Sequence, residues 1–143
     1  MPPPTLPTDP AAVLRGRRVL TVDDQPASTR LIRLTLSNAL GVDVREVNDP
    51  TRALDAALEF RPDAVLLDVE MPGMNGGAVW RQLRSHPDLR RLPIVFLTSR
   101  VSEEEAAANH SDAATQMLAK PVSLARLTER LVKLLAPCPP ARD

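Results

Sequence analysis

The chain has 143 residues, the length of one domain with a core of its own. Its 18 basic and 18 acidic side chains cancel, so the charge balance points to neither nucleic acid nor an anionic membrane as a partner. No apolar run nears the ~20 residues that span a bilayer, and two phenylalanines, one tryptophan and no tyrosine leave little for stacking a base or a flavin ring.

Prolines mark both ends. Five of the first ten residues are proline, and Pro137, Pro139 and Pro140 lie near the other end. Segments of this composition cannot bury enough apolar surface to offset their own ordering. Residues 1–12 are therefore expected to be a disordered tail and 137–143 a tail or linker, with 13–136 as the folded domain. The first residues show neither the basic start nor the apolar stretch of a signal peptide. The one cysteine, Cys138, cannot form an internal disulfide, and a cytoplasmic location is expected.

Between the tails, strand and helix signals alternate. RRVLTV at 17–22 is a short, Val- and Leu-rich run of buried-strand type. A helix follows Pro26, with Leu31, Leu34, Asn38 and Ala39 at helical spacing and Ile32 widening the face. A second strand is expected over about 42–47. Asp49 and Pro50 then supply an N-cap and a first-turn proline for a helix carrying Ala53, Leu54, Ala57 and Leu58. Residues 64–67 form the third strand. After the MPGMNG loop, whose glycines suit positive φ, a helix over about 77–85 buries Val79, Trp80 and Leu83. Pro93 opens the strand IVFLT. Ser102 with Glu105 reads as a capping box for a fourth helix bearing Ala106, Ala107 and Ala108. The fifth strand ends at Ala119, and Ser123 caps a last helix carrying Leu124, Leu127, Leu131, Leu134 and Leu135. Such alternation means a parallel sheet covered by helices on both faces, joined by right-handed crossovers.

Four charges stand at the ends of these strands. Asp23 and Asp24 follow the first, Asp68 the third and Lys120 the fifth. The C-terminal edge of an open α/β sheet is where such folds place their ligand sites. Three carboxylates gathered there repel one another unless a cation joins them, so the layout predicts a metal site.

VLTVDD at 19–24, LLDVEMPGMNG at 66–76, IVFLTS at 94–99 and LAKPV at 118–122 together resemble the receiver domain of bacterial response regulators. The resemblance covers roughly residues 17–136, with intervals of 45, 30 and 22 between Asp23, Asp68, Thr98 and Lys120. It implies a flavodoxin-like (βα)5 fold, a doubly wound sheet of five parallel strands in the order 2-1-3-4-5. It also implies a binding module rather than a turnover enzyme, one that accepts a phosphoryl group on Asp68 from the phosphohistidine of a histidine kinase or histidine phosphotransfer protein. Asp23, Asp24, Asp68 and the backbone carbonyl of Glu70 would hold Mg²⁺, which all-oxygen ligands suit. Lys120 would pair with Asp68 at rest and with the phosphoryl oxygens afterwards, and Thr98 would donate its hydroxyl to them. Pro121 would follow a cis peptide bond. The family implies an unidentified downstream protein target, no direct nucleic-acid or membrane contact, and a monomer or a phosphorylation-linked dimer.

Three positions depart from the family pattern. Met117 stands where receivers usually carry the aromatic residue that changes rotamer with the threonine, and a methionine repacks without being a rigid switch. Ala113-Ala114 replaces a usual Gly-Ala. Glu70 and Arg100, two residues after Asp68 and Thr98, hold places that tune hydrolysis of the phosphoryl group, and opposite charges there suggest a long-lived phospho-aspartate. A stand-alone receiver is favoured over one excised from a larger regulator. The rival from another class is a Mg²⁺-dependent phosphatase with an aspartate nucleophile, which would want Asp-x-Asp after the first strand. Here the sequence is Asp68-Val69-Glu70 after the third.

Overall fold

The computed structural model describes residues 10–71, 75–98 and 114–136. Five short strands form one parallel sheet: β1 Arg18–Val22, β2 Asp43–Val47, β3 Ala64–Asp68, β4 Ile94–Thr98 and β5 Thr115–Ala119, in the order β2-β1-β3-β4-β5. The helices are α1 Pro10–Leu14, α2 Pro26–Leu40, α3 Ala53–Phe60, α4 Gly76–Ser85 and α5 Leu124–Leu135, with single 3-10 turns at Pro50–Arg52 and Pro87–Leu89. The flavodoxin-like order expected from the sequence is present. The fourth expected helix, with Ser102 and Glu105, lies outside the described residues, as do Ala113, residues 1–9 and residues 137–143 with Cys138; residues 10–12, expected in the first tail, belong to α1.

The alternation of side chains along each strand divides the core in two. Leu20, Val65, Leu67, Ile94, Phe96 and Met117 point to the face covered by α3 and α4, where Ala57, Phe60, Val79 and Leu83 meet them. Val19, Leu66, Val95, Leu97 and Leu118 point to the other face, under Leu36 of α2 and Leu127, Leu131 and Leu135 of α5. Strands buried on both faces are apolar at nearly every position, as parallel sheets require; β3 and β4 are buried throughout.

Local signals act where the sequence places them. The Asp49 carboxylate accepts the Thr51 N–H ahead of α3, and the Ser123 hydroxyl accepts the Arg126 N–H at the start of α5. Gly41 ends α2 at φ 68°, and the N–H groups of Gly41 and Val42 close back on Ser37 and Leu36.

Other expectations need correction. On α2, Leu31 is 67% exposed, Leu34 43% exposed, and Asn38 and Ala39 are exposed. The buried stripe runs instead through Thr29, Ile32, Leu36 and Leu40. This helix carries apolar residues almost all round, so spacing alone admits two faces. The chosen face is the one on which the Thr29 hydroxyl finds polar partners. Helix α1 has no counterpart in the periodicity. It starts at Pro10 and forms because Val13 and Leu14 are buried against α5. The buried Arg17 ties this end together: it donates to the Val13 and Leu135 carbonyls and lies 3.6 Å from Asp63.

Candidate functional site

The sheet register brings the site together. Val22 pairs with Leu67 across β1 and β3, so Asp23 and Asp68 follow adjacent positions. Asp68 pairs with Leu97, and Thr98 pairs with Ala119. Beyond the last rung, the Lys120 N–H donates to the Thr98 carbonyl at 2.7 Å. One edge of the sheet therefore presents Asp23, Asp24, Asp68, Thr98 and Lys120. The Lys120-Pro121 bond is cis, as expected.

Ligand oxygens of Asp23, Asp24 and Asp68 lie within 4.8 Å of one another. Asp23, Asp68 and Thr98 are buried and Asp24 is half-buried. Lys120 Nζ donates to Asp68 Oδ1 at 2.8 Å. Burial would lower the Lys120 ammonium, but its hydrogen bond to Asp68, with the charges of Asp68, Asp23 and Glu70, holds it above its ordinary value. Burial, opposed by the Gln25 N–H and reinforced by the charge of Asp68, raises the Asp23 carboxyl. Among the described residues, the Lys120 ammonium thus stands beside the clustered carboxylates of Asp23, Asp24 and Asp68, a donor set of hard oxygens. That composition fits Mg²⁺.

The raised Asp23 carboxyl makes a prediction with a definite sign. A carboxyl raised above its ordinary 3.8 stabilises the fold below that value, and the contribution is lost as pH rises through the folded value. In EDTA, Asp23→Asn should unfold at the wild-type midpoint in acid well below 3.8, then gain an advantage that grows as pH rises through the folded value of Asp23 and is constant above it. A pH-independent difference between the two unfolding curves contradicts this.

Glu70 is exposed on the loop after β3. Met117 is buried on the α4 side of β5, paired with Phe96 two positions before Thr98. Arg100 lies outside the described residues. Trp80, expected inward, is half-buried, and its indole N–H donates to the Thr115 hydroxyl at 3.0 Å.

Sequence reasoning missed two sets of supporting residues. Asn48 Nδ2 donates to the Asp23 carbonyl at 2.8 Å and to Thr29 Oγ1 at 2.9 Å. Its signal was present: an amide one residue past β2, beside the acidic pair. Gly76 was missed in another way. It opens α4 rather than supplying the positive φ expected of the loop glycines, and its smallness allows the helix to abut the backbone of Asp68 and Val69.

Known proteins resemble this chain in sequence and in fold. The family described as the response regulator receiver domain matches residues 19–132. The response regulator MprA of Mycobacterium avium is 41% identical over 126 residues, covering 88% of this chain and 54% of that protein; the chain spans about half the length of the curated relatives it matches. The chemotaxis protein CheY4 of Vibrio cholerae superposes with a TM-score of 0.70 at 32% identity, covering 84% of this chain and 96% of that one. The signal receiver domain of a histidine kinase from Syntrophus aciditrophicus gives 0.73 at 27% identity, covering 85% and 92%. Receiver domains are signalling modules of two-component systems, generally not turnover enzymes, and typically bind Mg²⁺ at an acidic pocket. With the sheet order, the acidic cluster and the lysine in place, the chain belongs to the response regulator receiver domain family.

Proposed function

We propose that the chain is a phosphorylation-controlled binding module rather than a turnover enzyme, with Asp68 as the acceptor of a phosphoryl group from a partner phosphohistidine. The observation that carries this reading is the buried Asp68 carboxylate, held by Lys120 at 2.8 Å beside two further carboxylates. A lone pair on an Asp68 oxygen forms the new O–P bond, and the electron pair of the breaking P–N bond leaves with the imidazole nitrogen. Asp23, Asp24, Asp68 and the Glu70 carbonyl are the groups to hold Mg²⁺, which when bound supplies neutralisation of phosphoryl charge.

Lys120 leaves Asp68 as the acyl phosphate forms and pairs with a phosphoryl oxygen. Thr98 donates its hydroxyl to another, and Met117 repacks beside it as the outward relay. Glu70, with Arg100, sets how long the phosphoryl group lasts. Labelling by acetyl phosphate should require Mg²⁺ and cease in excess EDTA. Undiminished labelling in EDTA defeats the metal assignment.

The surface beside the pocket supports a protein donor. Helix α2 begins at Pro26, two residues past Asp24, and exposes Leu31 and Leu34. We assign this apolar ridge to docking of the histidine kinase or phosphotransfer domain. Leu31→Glu should slow transfer from a phosphorylated donor domain about tenfold, as loss of an interface anchor does. Labelling by acetyl phosphate should be unchanged. Equal slowing with both donors places Leu31 in the chemistry or the fold, not the interface.

A further inference from the structure

We propose that Asn48 and Thr29 are positioning residues for the Asp23–Asp24 pair, an inference that rests on the receiver reading above. The last backbone bond between β1 and β2 at this edge is the Asp23 N–H to the Val47 carbonyl, 3.0 Å. One rung further, the Asp23 carbonyl would accept a backbone N–H from the neighbouring strand. The Asp49 N–H stands next in that register, but the chain turns away there as Asp49 caps the 3-10 turn. The Asn48 side-chain amide takes over the missing rung at 2.8 Å.

That amide is itself held. Its second polar contact is to Thr29 Oγ1 at 2.9 Å, so both N–H groups of Nδ2 are used and the amide orientation is fixed. Thr29 is fully buried. Its single hydroxyl proton goes to Glu46 Oε1 at 2.7 Å, in preference to the Pro26 carbonyl at 3.1 Å. The other Glu46 oxygen accepts from Arg33. A chain of donors thus runs from Arg33 on α2 and from Thr29 to Glu46, and from Asn48 to Thr29 and to the Asp23 carbonyl.

The consequence falls on the peptide plane joining the two acids. The Asp23 N–H is held by Val47, its carbonyl by Asn48 and its Oδ1 by the Gln25 N–H at 3.0 Å. With the carbonyl released, the Asp23–Asp24 peptide turns more freely and both carboxylates lose their shared orientation. Groups that orient metal ligands from behind typically carry about tenfold or more in affinity.

The test is Mg²⁺ affinity of the full chain, measured by calorimetry for wild type, Asn48→Ala, Thr29→Val and Thr29→Ser, with urea unfolding of each in EDTA. Asn48→Ala and Thr29→Val should bind Mg²⁺ about tenfold more weakly, and Thr29→Ser, which keeps the hydroxyl, should return to wild-type affinity. A purely structural role predicts lower unfolding midpoints with Mg²⁺ affinity intact, and that result overturns the inference. So does Thr29→Ser binding as weakly as Thr29→Val. If Thr29→Val does not fold, Asn48→Ala decides, since Asn48 is exposed and its removal leaves the core untouched. A wild type that fails to bind Mg²⁺ overturns the receiver reading and this inference with it.

Discussion

Asp68→Asn is expected to abolish phosphoryl acceptance, lowering the rate of labelling by acetyl phosphate and Mg²⁺ about a thousandfold or more, the scale on which removal of a nucleophile acts. The substitution keeps the shape of a residue buried at the end of β3 and removes the anionic oxygen that forms the bond. It also takes away the partner of Lys120, whose ammonium lies 2.8 Å from Asp68 Oδ1. Loss of that pair is offset in part by relief of repulsion from Asp23, because the charge of Asp68 is among the causes that raise the Asp23 carboxyl. The variant should therefore fold, as circular dichroism and urea unfolding will show, while intact-mass analysis finds no phosphorylated species. Undiminished labelling of a folded Asp68→Asn protein assigns the chemistry elsewhere.

Gly76→Ala carries the second large effect, and here helix propensity and packing give opposite answers. Alanine in a helix is favoured over glycine by about 1 kcal/mol. A Cβ at Gly76, however, would lie 2.5 Å from the Asp68 carbonyl oxygen and 2.9 Å from Val69 Cα. Both are backbone atoms, so no side chain can rotate away. The start of α4 must move off β3, straining the bond from the Gly76 N–H to the Val69 carbonyl at 3.1 Å. The net result should be a loss of about 2 kcal/mol or more, read as a lower urea midpoint. Slower labelling should accompany it, because the displaced backbone belongs to Asp68, the proposed acceptor. A variant at least as stable as wild type would show that propensity wins and that α4 has room to spare.

The sheet edge was legible because two independent rules converge on it. Buried parallel strands read as short Val- and Leu-rich runs, and charges just past their ends must gather on one edge. Asp23, Asp68 and Lys120 follow such runs directly, and the structure brings them together. The caps Asp49 and Ser123 were legible for a local reason, since each contacts an N–H two or three residues on. The face of α2 was not. Leu31 and Leu34 are as apolar as Leu36 and Leu40, and the buried stripe is the one whose Thr29 meets Glu46 and Asn48 across 17 and 19 residues, contacts that no local spacing reveals. Gly76 was misassigned because a glycine after a loop suits a turn as well as a close approach. Only the distance to Asp68, itself a tertiary fact, separates them. Arg17 and its partners are hidden in the same way: a buried guanidinium bound to the Leu135 carbonyl, 118 residues away, looks like one more surface charge beside Arg18.

The central claim, that Asp68 takes the phosphoryl group, is tested most directly by chemical trapping. The full chain is incubated with acetyl phosphate and Mg²⁺, the acyl phosphate is reduced with borohydride, and the digested peptides are sequenced by mass spectrometry. An acyl phosphate on an aspartate is reduced to homoserine, and homoserine at position 68 alone is the predicted result. Homoserine at position 23 or 24, or no reducible acyl phosphate in the metal-loaded protein, would contradict the account.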